Sequence, residues 1–171
     1  MAVKWPAMRI AEATEPGGRE SFVRYLDRHA LFVALERAVM SDSGPSVLVV
    51  FGFEGLKQHL EEVSDADGDA LLARLADRLT VAVGSASSIY QPRRGEFCAL
   101  FDGRLQAVKP LLVTAPAELD EEARAFSIRS SIGIAVLPDE ATVPTYALAL
   151  ADHRLRALSG DLRPVRPAQG G

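Results

Sequence analysis

The chain has almost no means of covalent stapling. Cys98 is its single cysteine, so no disulfide can form within one chain. Long apolar runs are missing too. The longest, Val47 to Phe53, is too short to cross a bilayer core of ~30 Å. Met1 to Ile10 contains no apolar segment of the signal-peptide kind. Nor is one sign of charge in large excess. Nineteen basic and 23 acidic residues leave a net charge of −4, which argues against a protein that coats nucleic acid. His29, His59 and His153 show no metal-ligand spacing. No nucleophile motif of the Gly-x-Ser-x-Gly or Cys–His kind is present. These absences predict a soluble, cytoplasmic protein with no membrane or nucleic-acid partner, no metal and no cofactor.

What is present reads as one globular domain, 48% apolar and 25% charged, long enough to bury a core. Residues 1–19 carry Pro6, Pro16, Gly17 and Gly18 without periodicity and are read as a tail or linker; 164–171 are read as a disordered tail. The domain is placed at 20–163. From Glu20 to Met40, Phe22, Leu26, Phe32, Leu35 and Val39 fall near helical spacing, with a second edge at Tyr25 and Leu31. Val47 to Phe51 is a continuous β-branched and aromatic run, expected of a central strand buried on both faces. A short helix is expected from Glu54 to Glu62. Ser64 to Asp69 is read as a turn into a helix whose inner face is Leu72, Leu75, Leu79 and Val83.

Ser87 to Gln91 and Glu96 to Phe101 predict two strands around a Pro92–Gly95 turn. Cys98, inside the second, is read as a small buried hydrophobe. Beyond Arg104, Leu105, Val108 and Leu112 suggest a helix that Pro110 would break or kink, so residues 104–124 stay undecided. Phe126, Ile128, Ile132, Ile134 and Val136 alternate through a long strand, where Gly133 marks a bulge or a close approach. Pro144 opens a last helix with Leu148, Ala151, Leu155 and Leu158 on one face. Helices interleaved with a mixed sheet give an α/β or α+β sandwich.

Several strings, in order, resemble the GGDEF family over Glu20 to Arg163. They are Phe22 to Leu31, Gly52-Phe53-Glu54-Gly55-Leu56-Lys57, Gly68-Asp69-Ala70-Leu71-Leu72, Ser131-Ile132-Gly133-Ile134-Ala135 and Ala151-Asp152. At the signature position stands Arg93-Arg94-Gly95-Glu96-Phe97. The resemblance implies a central, mostly antiparallel five-stranded sheet flanked by helices, related to adenylyl cyclase catalytic domains. It also implies descent from enzymes that join two GTP molecules into cyclic di-GMP.

In such enzymes the resemblance assigns magnesium to an Asp ending the first strand and to the third signature residue. Here those positions are Gly52 and Gly95, which offer no side-chain oxygen, whereas magnesium demands hard oxygen ligands in near-octahedral geometry. Glu54, two residues on, shares a strand face with Gly52. Glu96 would point away from its neighbour. The family's guanine-contacting Asn is matched by Leu60; its guanine-contacting Asp is retained as Asp69. Its phosphate-contacting Lys corresponds to about Ser159, with Arg163 near by. Where the family's inhibitory Arg-x-x-Asp would stand, this chain has Gly84-Ser85-Ala86-Ser87.

Arg93 and Arg94 at a hairpin tip suit either an anion clamp or a solvated turn. Asp65 to Asp69 lacks the Gly and Glu of a calcium loop, with Ala70 and Ala76 in their places, so helix capping explains it better. His59, amid Gln58, Glu61 and Glu62, is read as lying on a solvated face. The expected function is a catalytically silent signalling module acting through a protein partner or homodimer. The alternatives are a non-catalytic sensor of GTP or cyclic di-GMP, and a residual cyclase using Glu54 and Glu96. Glu54, Lys57, Asp69, Arg93, Arg94 and Glu96 form the vestigial nucleotide or partner site.

Overall fold

A computed structural model describes residues 26–84, 87–123 and 126–161. The elements run α1 (Arg28–Met40), β1 (Ser46–Glu54), α2 (Leu56–Glu62), α3 (Asp65–Val83), β2 (Ser87–Arg93) and β3 (Glu96–Asp102). They continue with α4 (Leu105–Leu119), β4 (Glu121–Ala123), β5 (Phe126–Leu137) and α5 (Pro144–Asp161). The strands form one antiparallel sheet in the order β2-β3-β1-β5-β4.

β1 lies at the centre, and its side chains alternate between two cores as strand geometry requires. Val47, Val49 and Phe51 pack with α2, α3 and α4; Leu48 packs with α1 and α5. The strand expected to be buried on both faces is so buried, and Cys98 is buried beside Leu48 in the α1–α5 core. β1 therefore carries Gly52 out between two helical layers, while β3 brings the hairpin tip alongside.

Several boundaries differ from the sequence reading. α1 starts at Arg28, because the Asp27 carboxylate accepts the Ala30 N–H at 2.8 Å and caps the helix there. Leu26, expected on that helix, is extended instead. Its N–H donates to the Ile89 carbonyl at 2.9 Å and its carbonyl accepts the Gln91 N–H at 2.7 Å, so it lines the edge of β2. Residues 20–25, including Phe22 and Tyr25, lie outside the described residues, as do 1–19 and 164–171. The buried seam of α1 is Leu31, Leu35 and Ala38.

Asp65 to Asp69 already belong to α3 and are not a preceding turn. Ser64 Oγ accepts the Asp67 N–H at 3.2 Å, and the aspartates face the positive end of the helix dipole. α4 continues without a break past Pro110. The proline is exposed, and the carbonyl it leaves without a helical partner, that of Gln106, belongs to an exposed residue that water can satisfy. β4, absent from the sequence reading, is held to α3 by Glu121, which meets Arg74 at 3.2 Å and Arg78 at 3.4 Å. The inner face of α5 is Ala147, Ala151 and Leu155; Leu158, expected there, is exposed.

Gly133 is the close approach foreseen for it. A Cβ on Gly133 would run into the Ala151 carbonyl and stand 2.8 Å from the Leu155 nitrogen, so α5 rests directly on β5.

Candidate functional site

A cleft of about 630 Å3 opens where the β2–β3 hairpin tip, the end of β1, α2 and α5 meet. The tip is a two-residue turn, Arg94-Gly95, between Arg93 and Glu96, which pair in the ladder. Pro92, expected in the turn, belongs to β2. It is tolerated because β2 is an edge strand and the register shifts between Tyr90 and Arg93. Gly95 has φ +81°, a left-handed conformation that any side chain there would strain.

Of the six residues singled out in the sequence, Lys57, Arg93, Arg94 and Glu96 line the cleft. Glu54 does not. It ends β1 opposite Arg129 and is exposed. Asp69 stands on α3 beside the cleft, and Arg94 engages it: Nη2 lies 2.9 Å from Asp69 Oδ1, while Nη1 lies 3.6 Å from Asp65. The same guanidinium crosses Gly68, where a Cβ would meet it at 2.8 Å. Asp69, which the resemblance matches to a guanine-contacting carboxylate, is thus met by the chain's own arginine. Arg93 reaches Glu96 at 3.7 Å, both well exposed.

The residues present do not fit a magnesium pair. Gly52 and Gly95 supply no side-chain oxygen, and a Cβ on Gly52 would stand 3.0 Å from both methyl carbons of Leu155. Apolar carbon therefore covers the place where the first carboxylate would project. No cluster of three or more His, Cys, Asp or Glu suited to a metal exists among the described residues.

Sequence reasoning missed three contributors. Arg28 arrives from the start of α1, while Asp152 and Arg156 arrive from α5, paired one turn apart at 2.8 Å. The i, i+4 spacing of Asp152 and Arg156 was the available signal; nothing in the sequence places Arg28 near the hairpin. Cys98 lies beneath the cleft. Burial, helped by the Glu96 and Asp152 carboxylates, pushes its thiol up to about 12.

Of the remaining residues, Ser159 lies in α5 with its side chain outside the described residues, and Arg163, Ser85 and Ala86 are outside altogether. His59 departs from the solvated face expected of it. It is half-buried, its ring 4.0 Å from that of Phe126. No helix among the described residues is long and apolar enough to cross a membrane.

The likeness to known proteins agrees with this geometry. Among solved structures, a sensory box/GGDEF family protein from Caulobacter crescentus superposes with a TM-score of 0.65 at 25% identity, covering 80% of this chain and 94% of that one. The GGDEF domain of DgcB from the same organism, in complex with c-di-GMP, gives 0.69 at 19% identity, covering 91% and 95%. The diguanylate cyclase SiaD from Pseudomonas aeruginosa, in complex with its activator SiaC, gives 0.67 at 17%, covering 80% of this chain and 55% of that one. No curated protein matches. A sequence model of the family described as "Diguanylate cyclase, GGDEF domain" matches residues 24–161, so the chain belongs to the GGDEF domain family, related to diguanylate cyclases.

Proposed function

We propose that this domain, residues 20–163, is a catalytically silent member of its family. It acts in the cytoplasm as a signalling module through a protein partner or a second copy of itself. The observation that carries the reading is the meeting of Gly52 with the Leu155 methyl groups, at 3.0 Å from an added Cβ, where a metal-binding carboxylate would be needed. Two-metal phosphoryl chemistry depends on such charges to stabilise the attacking and leaving oxygens. Gly95 adds no oxygen, Glu54 lies outside the cleft and Glu96 is turned to Arg93. The SiaD–SiaC complex is a precedent for a cyclase relative that works with a protein partner. Incubation with GTP and magnesium should yield neither pyrophosphate nor dinucleotide; formation of either overturns the reading and restores the residual cyclase.

A second reading, a non-catalytic sensor of GTP or cyclic di-GMP, draws support from a cleft of about 630 Å3 with Lys57 and Arg93 in its lining. The DgcB relative is seen in complex with c-di-GMP. Calorimetry with both nucleotides separates the readings: no heat at millimolar ligand removes the sensor.

A further inference from the structure

Building on the non-catalytic reading, we propose that the cleft docks an acidic, amphipathic segment of a partner protein. Its floor is apolar: Phe53, Leu60 and Leu148 are partly exposed there, over the buried Leu56 and Leu155. Its rim is cationic. Arg28 comes from α1, Lys57 from α2, Arg93 from the hairpin and Arg156 from α5. Five basic and three acidic side chains line the cleft, whereas the whole chain carries a net −4, so positive charge is concentrated here.

These cations are not equally engaged. Arg94 and Arg156 hold aspartates at 2.9 and 2.8 Å, and Arg93 reaches Glu96 only at 3.7 Å. Among the described residues no carboxylate pairs with Arg28 or Lys57; the Arg28 guanidinium merely lies 5.4 Å from the Phe32 ring centre. Two exposed cations flanking an apolar floor call for two carboxylates flanking an apolar anchor. A segment that lays an apolar face into a groove and sets acidic residues on its rim has that pattern. A guanine nucleotide matches less well, because Arg94 already holds Asp69 and because Gly52 and Gly95 offer no metal ligand to neutralise phosphates. A second copy presenting the same cleft would oppose cations to cations.

The test is selection from a random dodecapeptide display library on the immobilised protein. Enriched sequences should carry Asp or Glu on either side of Leu, Ile, Phe or Trp. A selected peptide, synthesised with a fluorophore, should lose about tenfold in affinity for R28E/K57E and less for R28Q/K57Q, as for rim charges that steer and fix a partner. It should also weaken as salt rises from about 50 to about 300 mM. Both side chains are exposed, and thermal melting of the variants checks that they fold. No enrichment, enrichment without acidic residues, or equal affinity for R28E/K57E overturns the proposal. Displacement of the peptide by micromolar GTP assigns the cleft to nucleotide instead, and self-association that R28E/K57E strengthens assigns it to a second copy. Dinucleotide synthesis from GTP would overturn the non-catalytic reading itself, whereas failed selection without synthesis overturns only the acidic segment.

Discussion

The Arg94 guanidinium holds the Asp69 carboxylate at 2.9 Å, tying the hairpin tip to the N-terminal part of α3. The link joins a lining element of the cleft to a helix beside it and crosses Gly68, and it lies at the surface. Both partners are largely exposed, and exposed pairs contribute about 0–1 kcal/mol. Arg94→Ala should therefore leave the melting temperature within a few degrees of wild type. A larger fall in differential scanning fluorimetry would show a structural role instead.

Gly133→Ala should be far more damaging. The added methyl would run into the Ala151 carbonyl, which belongs to the α5 backbone and cannot swing aside. A loss of about 3 kcal/mol, at the upper end for overpacking, is expected in urea denaturation. A loss below about 1 kcal/mol would mean that α5 can lift from the sheet.

A carboxylate placed at position 52 alone should not create metal binding. Gly52→Asp must push the Leu155 methyl groups aside, at a cost of about 1–2 kcal/mol, and Gly95 still supplies no oxygen. Calorimetric titration with magnesium should show no binding, and the variant's melting temperature should not rise with the metal. A magnesium-dependent rise would contradict both expectations.

Acid should erase one local contribution. Arg154 donates to both Glu140 oxygens, at 2.7 and 2.8 Å, and to the Ile134 carbonyl at 2.8 Å, while Glu140 also accepts the Val136 N–H. The Arg154 hydrogen bonds hold the Glu140 carboxyl below its ordinary value. A depressed carboxylate stabilises the fold above its unfolded pKa and loses that contribution as pH falls through the folded one. Glu140→Gln should therefore melt below wild type near pH 7, with the gap closing as pH falls below the ordinary glutamate range. A gap independent of pH would assign the effect to packing.

Cys98 should be silent to thiol reagents in the folded protein. The residue is 2% exposed and the ionisation of its thiol is pushed up to about 12. Since the thiolate is the nucleophile, alkylation at about pH 8 should proceed only after denaturation. Rapid labelling of native protein would reveal opening of the β3–α5 layer.

The central strands, the hairpin and the buried Cys98 were legible because their signals are local: continuous β-branched runs and turn residues fix them within a few positions. The start of α1 was not, since apolar spacing continues across Asp27 and only the cap bond to Ala30 marks the boundary. α4 was obscured because a proline is read as a breaker without knowledge of which face meets water. At the site, the glycines at 52 and 95, where the resemblance calls for carboxylates, were plain. The engagement of Asp69 by Arg94 and the covering of Gly52 by Leu155 were hidden, because residues far apart in sequence meet only through the sheet.

The contact between Gly133 and α5 has a consequence for how such a cleft can change. Because main chain rests on main chain there, the backbone contact itself helps set where positions 152, 155 and 156 stand. Shape and chemistry are thereby uncoupled along this wall. The backbone acts as a fixed mould, and new side chains can line it with charge, oil or nothing without recasting it.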